Sequence, residues 1–121
     1  MNLNEVLSTK DYKNVLKYFC DISEIPRGSG YNQKMSDWLC TFAKEHGISY
    51  EQDEALNVIL RKPASKGYEN APKVVLQGHM DMVPQKNNDT IFDFEKDPIQ
   101  AYIDGEWVTA KGTTLGADNG I

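Results

Sequence analysis

Histidine and cysteine are both scarce in this 121-residue chain: His46 and His79 are its histidines, Cys20 and Cys40 its cysteines. Two thiols twenty residues apart show neither metal-type pairing nor the dense spacing of a secreted disulfide scaffold, so both are expected as reduced thiols in or beside a core. A basic excess is also lacking. Thirteen Lys and Arg face eighteen Asp and Glu, for a net charge of -5. With the lysines scattered, no phosphate-backbone footprint forms, and nucleic acid is not an expected partner. No apolar run approaches the roughly 18 residues that span a bilayer, and Met1-Asn2-Leu3-Asn4-Glu5 lacks the basic and apolar regions of a secretory signal. No membrane partner and a cytoplasmic location are therefore expected. There is no internal repeat and no low-complexity tract. Gly28, Gly30 and Gly67 do not follow a strand at phosphate-cradle spacing and read as turns. Ser29 and Cys20 have no base nearby in sequence, so a Ser or Cys nucleophile has no support.

What is present suits one α/β domain with a mixed, helix-covered sheet. Val15, Leu16, Phe19 and Ile22 fall at helical spacing between Asp11 and Ile25, with Pro26 as the stop. Met35, Trp38, Leu39, Phe42 and Ala43 form a second helical stripe, ending at Gly47 where a left-handed C-cap belongs. His46 sits at that helix end, where the dipole favours an imidazole carrying partial positive charge. Ile48 to Gln52 and Asn57 to Arg61 read as two strands joined by a turn, and Ala64 to Pro72 as a polar loop. Lys73 to Gln77, with Val74-Val75-Leu76, reads as a strand buried on both faces. Asp104-Gly105 between Ala101-Tyr102-Ile103 and Glu106-Trp107-Val108 is a hairpin signal. Phe92-Asp93-Phe94 fits either a loop near a substrate or a local hydrophobic anchor.

Chemistry gathers after Leu76. In Gly78-His79-Met80-Asp81-Met82-Val83-Pro84 an imidazole and a carboxylate stand two residues apart, and extended backbone points both to one face. Such a pair suits a metal site: one ring nitrogen of His79 coordinates while Asp81 accepts from the other, setting the tautomer. Taken alone, the pair also fits an ordinary strand-end histidine held by a hydrogen bond. A second candidate ligand is Asp118, in the glycine-flanked turn Gly116-Ala117-Asp118-Asn119-Gly120; an aspartate there also suits a turn or a helix N-cap. In open α/β sheets, ligands gather beyond the carboxyl ends of strands, which is where Gly78 to Asp81 falls.

Leu76-Gln77-Gly78-His79-Met80-Asp81-Met82-Val83-Pro84-Gln85-Lys86, then Asp93-Phe94, Asp97-Pro98-Ile99 and Gly112-Thr113-Thr114-Leu115-Gly116-Ala117-Asp118-Asn119-Gly120, together resemble the aminoacyl-histidine (Xaa-His) dipeptidases. These belong to a two-metal peptidase superfamily that also holds carboxypeptidase G, tripeptidase T and acetylornithine deacetylase. The likeness extends over the whole chain, since the opening helices with Ile25-Pro26-Arg27 match how these enzymes begin. Met82 and Asp118-Asn119 stand where tripeptidases usually carry a threonine and paired aspartates. The resemblance implies a cytoplasmic zinc metallopeptidase that hydrolyses Xaa-His dipeptides by metal-activated water and allows a homodimer of the complete enzyme. It implies that His79 binds one of two zinc ions, that Asp118 bridges both across a cis bond to Asn119, and that Asp81 completes the catalytic machinery by orienting His79. The general-base glutamate, further ligands and lid of such enzymes lie downstream of the bridging aspartate and do not occur before Ile121. Residues 1–121 are accordingly expected to be the amino-terminal part of the catalytic domain, inactive alone. The alternatives are a tripeptidase or deacylase of the same superfamily, or a non-catalytic binding module that retains the scaffold.

Overall fold

The computed structural model describes residues 13–116. Helix α1 spans Lys13–Ser23 and α2 spans Gln33–Glu45. Strands β1 (Ser49–Gln52) and β2 (Val58–Arg61) pair antiparallel, as do β3 (Ala101–Asp104) and β4 (Trp107–Ala110). Among the described residues no helix is long and apolar enough to cross a membrane.

Both helices lie where the apolar stripes put them. In α1 the stripe deepens along the helix, from exposed Val15 to buried Ile22, and the chain leaves through Ile25 N–H donating to the Ile22 carbonyl before Pro26. In α2, Met35 and Ala43 are fully buried while Trp38 and Phe42 stack at 5.4 Å on the half-buried side. The helix ends as Gly47 predicts. Gly47 takes a φ of 65°, its N–H reaches the Lys44 carbonyl, and Ile48 N–H reaches that of Ala43, the paired bonds of a Schellman cap. His46 stacks on Phe42 with ring centres 4.1 Å apart and brings Nδ1 to 2.8 Å from the Phe42 carbonyl. Cys20 and Cys40 are free thiols, partly buried, and loss of solvation pushes both toward the protonated form.

Helix α2 packs on the β1–β2 hairpin through a buried polar relay. The Ser36 hydroxyl, at 0% exposure, donates to the Leu56 carbonyl at 2.8 Å and accepts from Gln52 Nε2 at 2.7 Å. That relay holds an unfavourable backbone: Leu56 has a φ of 69°, a left-handed conformation costing about 1 to 2 kcal/mol for a residue with a Cβ. The other support is Asp53, whose carbonyl accepts from Leu56 N–H and whose carboxylate accepts from both the backbone and side-chain amides of Asn57. In the second hairpin the turn residues are Gly105-Glu106, one position later than read from sequence, because Asp104 pairs with Trp107. Gly105, with a φ of 61°, then takes the first central position of the turn, where positive φ is needed.

Lys73 to Gln77 departs from expectation. It joins no strand, and Val74, Val75 and Leu76 are 81%, 87% and 92% exposed. The described strands form two separate antiparallel hairpins, not one mixed sheet. The reason is backbone hydrogen bonding: a central strand exists only between neighbours that take its N–H and C=O groups on both sides. No described segment lies beside residues 73–77 to do so.

The Asp53 carboxyl is held below its ordinary value of 3.8, first by the Asn57 side-chain amide and then by the Asn57 backbone N–H. A depressed carboxyl contributes above its ordinary range and loses that contribution as pH falls through the folded value. NMR titration should therefore place the Asp53 midpoint below 3.8, and Asn57→Ala should move it upward. Equal midpoints in the two proteins would show that the turn does not hold the carboxylate.

Candidate metal centre

The loop from Gly78 to Lys86 is joined to the segment after α1 by a backbone exchange. Met82 N–H donates to the Arg27 carbonyl at 3.0 Å, and Ser29 N–H donates to the Met82 carbonyl at 3.0 Å, a parallel bridge with Gly28 opposite Met82. Gly28 makes the approach close, since a Cβ there would stand a tight 3.3 Å from Pro84 Cβ and in ordinary contact with Phe94 Cβ at 3.6 Å. Met82 is buried at 2% exposure and anchors the loop in the core. Phe92 and Phe94 pack edge-to-face at 4.7 Å, and Phe94 lies against Gly28.

With Met82 turned inward, Asp81 on its amino-terminal side faces His79. The ring Nδ1 lies 2.8 Å from Asp81 Oδ1, so the two side chains share one side of the loop as their spacing predicts. The Ser29 hydroxyl, and after it the His79 ring, holds the Asp81 carboxyl below its ordinary value. An ionised carboxylate can only accept. Nδ1 therefore carries the hydrogen of this contact, and the lone pair of the neutral ring lies on Nε2. The His79 side chain is 66% exposed. This donor set fits zinc as one imidazole ligand with its tautomer set by a carboxylate. It is not a complete site: among the described residues no group of three or more His, Cys, Asp or Glu could hold a metal ion.

The second motif runs alongside the first. Thr114 N–H donates to the Gln85 carbonyl at 2.9 Å, its hydroxyl donates to the Val83 carbonyl at 2.6 Å, and Asn87 N–H reaches the Gly112 carbonyl at 2.8 Å. Gly112 has a φ of 74°, and a Cβ there would collide with the Thr90 side chain. Asp118 and its bond to Asn119 lie outside the described residues.

Two residues that sequence reasoning passed over organise this region. Arg27, at 1% exposure, spans the site: Nη1 donates to the Ile22 carbonyl at 3.0 Å and Nη2 to the Gly116 carbonyl at 3.2 Å. Burial lowers its pKa, yet an arginine remains charged. Ser29, read from sequence as a serine without a base, gives both its N–H and its hydroxyl to the Met82 carbonyl. Their partners sit 89 and 53 residues along the chain, and no local pattern announces contacts at that range.

No family model matches the chain. The cytosol non-specific dipeptidase of Escherichia coli (strain K12) is 57% identical over 103 residues, which are 85% of this chain and 21% of that protein. The crystal structure of aminoacylhistidine dipeptidase from Vibrio alginolyticus matches with a TM-score of 0.87 at 52% identity, covering 94% of this chain and 23% of that one. The chain is a homologue of these dipeptidases. It spans about a fifth of their length. The α/β fold described above is that of a part of the dipeptidase structure, and the resemblance read from the motifs agrees with both comparisons.

Arg27→Met should destabilise the fold by about 2 to 4 kcal/mol, because it leaves the Ile22 and Gly116 carbonyls without their donor. Urea denaturation against the unmodified chain measures this. A change under about 0.5 kcal/mol, the range of ordinary surface substitutions, would show that the span carries no stability.

Proposed function

We propose that this chain supplies one part of a zinc dipeptidase centre whose complete form cleaves Xaa-His dipeptides in the cytoplasm. The observation that carries the reading is the His79–Asp81 pair, with Nδ1 committed at 2.8 Å on a largely exposed ring. Similarity to two dipeptidases, over about a fifth of their length, supports placing that pair in a hydrolase.

In this reading His79 Nε2 and Asp118 would hold zinc, and Asp81 would orient the ring. Bound zinc supplies a water of lowered pKa and polarises the scissile carbonyl. The residues of this chain hold and aim. Ionised Asp81 keeps the Nδ1 hydrogen and so keeps the Nε2 lone pair available, while buried Met82 fixes the depth of the loop. Backbone contacts of residues 83–87 with 112–114 bring the second motif beside the loop that follows His79. Further ligands, the general base, a lid and a dimer contact are assigned to chain outside residues 1–121. The exposure of Val74, Val75 and Leu76 supports this, since a strand so apolar needs neighbours on both sides. The dipeptidase names of both relatives favour this reading over a tripeptidase, a deacylase or a non-catalytic module.

The test is a chimera in which this chain replaces the matching part of the Escherichia coli dipeptidase. Zinc-dependent release of histidine from an Xaa-His dipeptide is expected, falling to background in His79→Ala and by roughly 10- to 100-fold in Asp81→Asn. The isolated chain should release none. A folded chimera whose turnover ignores chelators, or survives His79→Ala, would overturn the assignment.

A further inference from the structure

Arg27 touches both motifs of the candidate centre with different parts of itself. Its carbonyl accepts the Met82 N–H at 3.0 Å, one residue past Asp81 and three past His79. Its side chain reaches the other motif. Nη2 donates to the Gly116 carbonyl at 3.2 Å, and Gly116 stands two residues before Asp118 in the sequence. The other terminal nitrogen, Nη1, donates to the Ile22 carbonyl at 3.0 Å, which also accepts the Ile25 N–H. Ile22 is buried in the last turn of α1, so the fork starts from a fixed point. Thr114 ties the second motif to Val83 and Gln85, and two residues further toward Asp118 the tie is to Arg27. A guanidinium at 1% exposure is costly to bury, and none of the roles given to His79, Asp81 and Asp118 needs its charge. An apolar side chain could fill the same volume, but it could not hold two carbonyls at a fixed separation.

We propose that Arg27 is a positioning residue that sets the spacing of the two metal motifs, with its main chain on the first and its guanidinium on the second. The proposal rests on the dipeptidase reading for the purpose of that spacing, but the spacing is a property of this chain. A two-metal centre tolerates little error there, because its ions sit only roughly 3.5 to 4 Å apart. The fork is the required feature, and the charge alone is not. Lysine carries the same charge on one nitrogen, which cannot stand where both Nη1 and Nη2 stand. Lysine should therefore fail to replace Arg27.

The experiment uses the chimera with the Escherichia coli dipeptidase in three forms: unmodified, Arg27→Lys and Arg27→Met, the lysine variant deciding should the methionine variant misfold. Competition with a chromophoric chelator reads zinc affinity. Mass spectrometry reads hydrogen exchange of the metal-free protein in peptides covering 78–83 and 112–116. In Arg27→Lys, zinc affinity is expected to fall roughly tenfold, the low end for losing an outer partner of a ligand. The kcat for an Xaa-His dipeptide should fall roughly 10- to 100-fold, the scale of a small misplacement of reacting groups, with KM unchanged. Peptide 112–116, which holds the Thr114 amide bonded to Gln85, should exchange roughly tenfold faster. Peptide 78–83 should keep its protection, because the Met82 bridge uses main-chain atoms alone. An Arg27→Lys chimera that matches the unmodified one in affinity and exchange would show that charge suffices. Loss of protection in both peptides together would show general support of the fold, and either result overturns the proposal. Faster exchange at 112–116 with zinc affinity unchanged also overturns it, since the spacing would then not serve the metals. If the unmodified chimera shows no zinc-dependent turnover, the dipeptidase reading fails, and exchange at 112–116 against 78–83 alone decides whether Arg27 sets the spacing.

Discussion

The Met82 exchange with Arg27 and Ser29 is the interaction on which the rest of this structure depends. Two backbone hydrogen bonds join segments more than fifty residues apart, and each does more than close a loop. They bury Met82, bring Gly28 against Pro84 and Phe94, and leave Asp81 one residue from a fixed point. Residues on either side of a buried position in extended chain face the other way, so a buried Met82 obliges Asp81 to face outward toward His79. The direction of the His79–Asp81 pair thus follows from the packing of Met82.

Arg27 extends the same logic to the second motif. A guanidinium at 1% exposure is costly to desolvate, and here Nη1 and Nη2 reach main-chain carbonyls at the close of α1 and at Gly116. Carbonyl acceptors have no side-chain freedom, so the distance between the first helix and the second motif is set by a rigid fork. Together with the contacts of Thr114 to Val83 and Gln85, this makes residues 83–87 and 112–116 one assembly. The α2–hairpin unit is a separate local structure, tied by Ser36 to a strained Leu56.

Exposure of Val74, Val75 and Leu76 shows how far this assembly reaches. The neighbouring segments hold their places by local caps, hairpins and the Met82 bridge. Residues 73–77 carry the sequence of a central strand but have no described neighbour to pair with. Hydrophobic burial of a central strand is collective. Its side chains are covered only when its backbone is satisfied on both edges, and neither condition can be met by the strand itself.

Elements governed by local physics were legible in the amino-acid order. Helical period placed α1 and α2, Gly47 marked the cap that closes α2, Asp104-Gly105 marked the hairpin to within one residue, and the two-residue spacing of His79 and Asp81 put both on one side. Each depends on residues a few positions apart, where steric and hydrogen-bond preferences act directly. Tertiary structure alone decided that Arg27 is buried, that Ser29 bonds to Met82, and that Phe94 packs beside Gly28. Those outcomes depend on partners 50 to 90 residues away, which no local preference encodes. It also decided that an apolar strand without neighbours stays unpaired, because strand formation belongs to the sheet and not to the segment.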